Sequence, residues 1–471
     1  MDTLTREHDK ARQGESFFPA MLSDPGSARK FYIESYGCAM NFADSEVVAS
    51  ILQGAGFTAT GDYLEADLVL INTCSIREKA EQTIRNRLNI FRQAKRSNPS
   101  MLIAVLGCMA ERLKSKFLEE EKLVDLVIGP DAYRSLPLLI EEAESGQKAV
   151  NVLLSRDETY AEIAPVRLNS NGVNAFVSIM RGCNNMCSFC VVPFTRGRER
   201  SRNPDSIISE SRSLFEKGYR ELTLLGQNVD SYHWHSGADG EAAVGFAGLL
   251  ENVAMISPFL RVRFSTSHPK DITDDVLHTI ARYENICNCI HLPVQSGSTR
   301  VLQRMNRTYT REWYLSKIRR IRELIPDCGI TSDIISGFCG ETEEDHQQTL
   351  TLIRESRFDF SYMYFYSERP GTLAARRYSD DVPETEKKRR LDEIIKLQRQ
   401  ISERSNRNDI GTISKVLIEG DSKRSSSEWM GRNDQNKVVV FPKDQVSLQK
   451  GDYAILKIVQ STGGTLIGSC I

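Results

Sequence analysis

An α/β chain in three folded parts is what this sequence predicts: a parallel α/β sandwich first, a partial (β/α)6 barrel in the middle, a small antiparallel β-barrel last. Three observations carry this reading. Short apolar runs alternate with helical patterns over residues 30–145, the same alternation repeats six times over 174–370, and from 408 the pattern turns to short alternating strands. At 471 residues the chain is long enough for about three domains with sizeable cores.

In chain order, residues 1–28 are polar and without periodicity and are expected to form a mobile arm. A first domain over 29–150 has strands expected at FYIESYG (31–37), DLVLINT (67–73), MLIAVLG (101–107) and VDLVIGP (124–130). Helical patterns around 44–54 and 78–94 separate them, which calls for parallel pairing. The second domain, 170–407, has strands expected at 176–182, 221–227, 261–267, 286–294, 330–338 and 361–367. Six βα units rather than eight predict an open partial barrel. ETEKKRRLDEIIKLQRQISERSNR (384–407) reads as a basic amphipathic helix packed on that barrel by Leu391, Ile394, Ile395 and Ile401. The strands SKVLIEG, KVVVF and YAILKIV, with Gly and Asn turns, make 408–471 the last domain.

Sixty-one basic against 63 acidic residues exclude a globally basic nucleic-acid binder but not local basic patches. No apolar run approaches the ~18 residues of a membrane span, and the polar N-terminus has no signal-peptide core. A cytoplasmic protein is expected, so the eleven cysteines read as metal ligands or free thiols rather than disulfides.

The cysteines fall into patterns. In RGCNNMCSFC, Cys183, Cys187 and Cys190 have C-x3-C-x2-C spacing directly after the first barrel strand. Thiolates so close together suit an iron–sulfur cluster, whereas a structural zinc site would need a fourth ligand nearby. Three cysteines on a [4Fe–4S] cluster leave one iron open to a small molecule. A second set is dispersed: Cys38, Cys74 and Cys108 are spaced by 36 and 34 residues, each just past a predicted strand. Singly each would be a buried structural thiol. Together they lie at the sheet edge where open α/β sheets bind ligands, and can share one cluster. Cys287, Cys289, Cys328, Cys339 and Cys470 read as core or incidental thiols.

The Cys183–Cys190 loop, with Phe189 before the last cysteine, resembles the radical S-adenosylmethionine (SAM) superfamily signature. The resemblance implies that SAM chelates the open iron and is cleaved to methionine and a 5′-deoxyadenosyl radical. Residues 408–471 resemble a TRAM domain, an OB-like RNA-binding module. The whole arrangement over 30–471 resembles the methylthiotransferases, and NTCSIREKA, GCNNMCSFCVVPFTRGRERSR, LLGQNVDSY, FSTSHP, HLPVQSGS, YSERPGT and GRNDQNKVVVF are similar to the MiaB type. Ala39, next to Cys38, and Cys339 depart from that pattern, and neither replaces a cluster cysteine.

By this resemblance the protein uses two [4Fe–4S] clusters and SAM to add a methylthio group to C2 of N6-isopentenyladenosine at position 37 of tRNA. Cys38, Cys74 and Cys108 hold the sulfur-donating auxiliary cluster; Cys183, Cys187 and Cys190 hold the radical-SAM cluster. C2 of adenine has no acidic proton, so the cofactors carry the chemistry and no side chain is singled out as catalytic. SAM is expected over the barrel mouth against Gln227, Asn228, Ser267, Gln295, Ser296 and Asp333, polar residues at the carboxyl ends of strands. Arg196, Arg198, Arg200 and Arg202 are expected on anticodon-loop phosphates, and Arg300, Arg304, Arg307 and Arg311 form a second basic run. Removing 408–471 is then expected to weaken tRNA binding yet spare SAM cleavage. A reductant such as flavodoxin or ferredoxin, a monomeric state and no membrane complete the expectation. Rival activities are methylthiolation of threonylcarbamoyl-adenosine or of a protein side chain; a rival class is an iron–sulfur redox protein.

Overall fold

The computed structural model describes residues 29–74, 78–168, 170–236, 243–443 and 447–471, apart from the side chains of 78–81 and 115. The expected mobile arm lies outside these. The chain divides into two compact units: one of the described residues up to Ser170 with Met180–Met186 and Cys190–Ser206, the other of Asn171–Ile179, Cys187–Phe189 and Ile207–Ile471.

The first unit is built on a six-stranded sheet of β1 (Lys30–Tyr36), β2 (Thr58–Ala59), β3 (Leu68–Thr73), β4 (Leu102–Leu106), β5 (Leu126–Ile128) and β6 (Ala149–Asn151). All pairs are parallel, in the order β2-β1-β3-β4-β5-β6. Alternate residues feed two cores. Phe31, Ile33, Leu68, Leu70 and Ala104 pack with helices Ala39–Gly54 and Leu136–Glu144. Tyr32, Val69, Ile71, Ile103 and Val105 pack on the opposite face with Ile84, Leu88 and Phe91 of helix Glu78–Ser97. Near-continuous burial along β1, β3 and β4 is what a sheet covered on both faces requires. Two strands escape the periodicity, β2 and β6, because two or three residues are too few to show it. The strand order places a topological switch point between β1 and β3.

The segment expected to form one strand over 176–182 is broken. β7 (Asn174–Ser178) joins the barrel, whereas β8 (Met180–Arg181) pairs antiparallel with β9 (Arg200–Ser201) and belongs to the first unit.

In the second unit β10 (Glu221–Leu225) leads to a short antiparallel pair, β11 (His233–Trp234) with β12 (Val244–Gly245). Then follow β13 (Arg261–Ser265), β14 (Cys289–His291), β15 (Gly329–Ser336) and β16 (Phe360–Phe365). Two parallel arcs, β13-β10-β7 and β14-β15-β16, meet at a parallel bridge between Val262 and Ile286. No pairing closes β7 onto β16 among the described residues, so the six-stranded barrel is open. Helix Glu384–Asn408 packs on β16 and buries Ile394. Its buried stripe also carries Lys387, Arg390 and Gln398, each held by a partner: Asp380, Glu341 and the Phe358 carbonyl respectively.

The chain ends in a closed antiparallel-rich barrel of β17 (Ile413–Ser422), β18 (Ser425–Arg432), β19 (Val438–Pro442), β20 (Tyr453–Ser461) and β21 (Leu466–Cys470). Val416, Ile418, Val439, Phe441, Leu456 and Ile458 fill it. Its β18–β19 loop is pressed into the amino-terminal ends of the large barrel's strands. There Arg261 and Arg263 share Glu221 at 2.7 and 2.8 Å. Arg261 Nη1 donates to the Arg432 carbonyl at 2.8 Å, and Arg263 Nη2 and Nη1 donate to the carbonyls of Asn433 and Asp434 at 2.7 and 3.0 Å. Burial alone would raise the Glu221 carboxyl, and the two guanidinium groups reverse this, holding it at about 2. Gly329 opens β15 close against this loop, where a Cβ would lie 3.0 Å from Gln435 Cβ. The C-terminal barrel therefore supplies three hydrogen-bond acceptors at the floor of the larger one.

Candidate functional site

The three dispersed cysteines meet the sheet at one edge. Cys38 follows β1 and caps the helix Ala39–Gly54, Cys74 follows β3, and Cys108 follows β4 and opens a short helix. Cys38 and Cys74 thus flank the switch point. Gly37 has φ +125°, and a Cβ there would lie 2.4 Å from Cys74 Cβ, so glycine is what lets the two loops approach. Gly107, at φ +87°, does the same for the Cys108 loop against Asn72. Asn72 ties the loops together, donating to the Asn41 carbonyl at 2.8 Å and accepting from the Asn41 amide at 3.1 Å.

A buried chain of charges ends on this edge. Arg200 forms a bidentate pair with Asp131 at 2.9 and 3.0 Å. Arg181 bridges Asp131, at 3.6 Å, and Asp44, at 2.8 Å. Arg196 donates to Asp44 through Nη2 at 2.8 Å and to Cys108 Sγ through Nε at 3.2 Å. All five residues are at least nine-tenths buried, and three guanidinium groups face two carboxylates. Buried charge without a counter-charge is costly, so an excess cation here fits an anionic group on the cysteines. A hydrogen bond with Cys74 and the charge of Arg196 lower the Cys38 thiol to about 6, despite burial. Burial dominates at Cys108 and pushes its thiol up.

The local loop is equally constrained. Gly182, φ +77°, sits where a Cβ would strike the Arg198 carbonyl at 1.9 Å, and Cys183 N–H donates to the Gly197 carbonyl at 3.1 Å. In the second unit Cys187 Sγ accepts from Arg307 Nη1 at 3.3 Å, and the next residue, Ser188, is pinned to the carbonyls of Arg304 and Met305. Phe189 packs beside Val301, Met305 and Phe338. Each cysteine set therefore has one buried arginine donating to a sulfur.

At the carboxyl ends of β10 and β13, the Gln227 amide has both polar atoms buried without a partner among the described residues, as have Asn228 Oδ1 and Asp230 Oδ1. Orphaned donors and acceptors in a barrel mouth fit a polar ligand such as SAM. Asn228 Nδ2 is anchored to Asp271 at 2.7 Å, and Ser267 lies beside Asp230. Gln295 is positioned by its backbone, with φ +72° and an N–H donated to the Asp333 carbonyl at 2.9 Å. Asp333 is half-buried with His291 3.5 Å away. The Ser296 hydroxyl is different: fully buried, it contacts Thr349 and accepts from Ser298 N–H, so it holds its loop.

Burial pushes the Asp230 carboxyl up to about 7. A raised acid favours folding while the unfolded chain also holds the proton, and that contribution is lost as pH rises from ~4 through about 7. Melting temperature of the apo-protein should therefore fall from about pH 5 to about pH 8 by less in D230N than in the parent. Equal slopes would contradict the placement of this carboxyl.

The basic runs need correction. Arg196, Arg200 and Arg202 are buried, the first two on aspartates and Arg202 on Ser206 and the Ala161 carbonyl. They are not available to RNA phosphates; Arg198 alone of the four is exposed. In the second run Arg307 is buried, Arg304 donates to the Cys339 carbonyl and Arg311 pairs with Glu355, whereas Arg300 pairs with Asp345 but stays exposed. The acidic partners Asp44 and Asp131 are 152 and 69 residues away from Arg196 and Arg200 in sequence, so no local pattern announces them.

Comparison with known proteins follows the same divisions. The radical SAM superfamily model matches residues 177–353, the TRAM domain model 407–471, and the model of the uncharacterized protein family UPF0004 residues 30–129. The fold is similar to that of the radical S-adenosylmethionine methyltransferase TsrM from Kitasatospora setae, with TM-score 0.54 and 14% identity over 74% of this chain and 77% of that one. Fold and cysteine loop together define a radical SAM enzyme. Closer in sequence are tRNA-2-methylthio-N(6)-dimethylallyladenosine synthases: 62% identical in Amoebophilus asiaticus, covering 98% of this chain and 96% of that one, and 57% in Christiangramia forsetii, covering 98% of each. The chain belongs to the tRNA-2-methylthio-N(6)-dimethylallyladenosine synthase family.

Proposed function

We propose that this protein adds a methylthio group to C2 of N6-isopentenyladenosine at position 37 of tRNA, using SAM and two [4Fe–4S] clusters. The observation that supports the two-cluster reading is the placement of Cys38, Cys74 and Cys108 just past three neighbouring strands of one sheet, with the buried Arg196 donating to Cys108. When bound, the clusters and SAM supply the radical and the sulfur that an unactivated C–H bond demands. Cys183, Cys187 and Cys190 hold the radical-SAM cluster, with Arg307 donating to Cys187. Gln227, Asn228, Ser267, Gln295 and Asp333 line the SAM position at the barrel mouth. The adenine beside the anticodon must leave its stack, at a cost of a few kcal/mol repaid by contacts elsewhere. Arg198 and the C-terminal barrel provide those contacts. The protein works as a cytoplasmic monomer with a flavodoxin or ferredoxin as electron donor; among the described residues no helix is long and apolar enough to cross a membrane.

Mass spectrometry of tRNA nucleosides tests this reading. Cells lacking the gene should accumulate N6-isopentenyladenosine without its 2-methylthio form, and the intact gene should restore it. Genes carrying C183A, C187A or C190A should not restore it, and each purified variant should form no 5′-deoxyadenosine after reduction. Restoration by any of the three would refute the cluster assignment.

A further inference from the structure

Arg196 makes an unusual set of contacts for an arginine in a basic run. Its side chain is 3% exposed. Nε is committed to Cys108 Sγ and Nη2 to Asp44. Nη1 is buried with no acceptor among the described residues. A guanidinium cannot shed its proton to escape this, and leaving a charged donor unmade costs more than leaving a neutral one unmade. Asp44 does not need Arg196 for neutralisation, because Arg181 already pairs with its other oxygen at 2.8 Å. The short helix Val192–Thr195 directs Arg196 inward, with Arg196 N–H donating to the Val192 carbonyl at 2.8 Å. The groups around it that bear on its charge include Cys108 and Cys38, the ligands proposed above.

We infer that Arg196 is the positioning residue of the auxiliary cluster, with Nη1 donating to a sulfur of that cluster while Nε fixes Cys108 and Nη2 is anchored on Asp44. The inference rests on the auxiliary-cluster reading of Cys38, Cys74 and Cys108. A planar fork with one arm on protein carboxylate, one on a ligand sulfur and one on the cluster sets where the cluster sits relative to the sheet edge. It also places a permanent positive charge and a hydrogen bond at the sulfurs, which stabilises the reduced, more negative state and raises the potential. Lysine keeps the charge but offers no planar fork to serve all three acceptors.

The test uses the full-length protein with C183A, C187A and C190A, so that the auxiliary cluster is read alone. R196K and R196Q are added to that background, and iron content, reduced-state EPR and midpoint potential are measured, together with the melting temperature of the apo-proteins. Expected are a lower potential and altered g-values in both, with R196Q displaced further than R196K. A potential and spectrum unchanged from the parent in R196Q would overturn the inference; should R196Q not fold, R196K is judged by the same criterion. A parent background that binds no four-iron cluster would instead overturn the auxiliary-cluster reading, and the inference with it, on a separate observation.

Discussion

Changing Cys38, Cys74 and Cys108 together to Ala should lower iron from about eight to about four per chain, since each cubane carries four. It should abolish methylthio product while leaving reductive SAM cleavage in place. The cysteines stand just past strands of the first unit's sheet, and none belongs to the two apolar clusters that hold that sheet together. Alanine at the 3%-exposed Cys74 and Cys108 removes one sulfur each, a small cavity compared with loss of a large apolar side chain. The buried arginine excess then loses its anionic counterpart, so the variant should melt below the metal-loaded parent but close to the parent's apo-form. Unchanged iron content, or single-turnover product from the variant, would contradict the donor role.

Truncation before residue 408 should have the larger structural effect. It strips three carbonyl acceptors from Arg261 and Arg263 and leaves a buried Glu221 with two arginines opened to water at the barrel floor. It also removes Lys437, which donates to the Ser405 hydroxyl at 2.8 Å and reaches Asp359 at 3.4 Å. Losing three charge-assisted hydrogen bonds at ~1.5–3 kcal/mol each is comparable with the whole stability of many domains. The truncated chain should be recovered mainly as aggregate, and any soluble fraction should melt well below the full-length protein. SAM cleavage should be lost along with tRNA binding, in contrast to the independence that the sequence alone suggested. A soluble truncated protein that melts like the parent and cleaves SAM at the parent rate would refute this. E221Q in the intact chain offers a milder test, since Gln leaves two arginines without a buried anion; it should lower the melting temperature without altering the cluster iron.

The sequence by itself determined the order of the parts, because apolar period and βα spacing are local properties. Six barrel strands are where six apolar runs stand, and the C-x3-C-x2-C loop needs only adjacent residues to be recognised. Cys38, Cys74 and Cys108 were legible for a related reason: each follows an apolar strand, and parallel strands bring such positions to one edge whatever the rest of the chain does. Tertiary structure alone decided which charges are solvated. Arg196, Arg200 and Arg307 look like surface cations in a basic run. They are buried because Asp44, Asp131 and the Pro293 carbonyl, none of them a sequence neighbour, supply the acceptors that make burial tolerable. The same holds at the barrel floor, where GRNDQNK reads as a turn between strands. Only when β10 and β13 stand side by side do Arg261 and Arg263 converge on Glu221 and reach its carbonyls. Periodicity records which way a residue faces along its own strand or helix, but a charge is stabilised by whatever lies across from it, and that partner is set by packing of elements far apart in the chain.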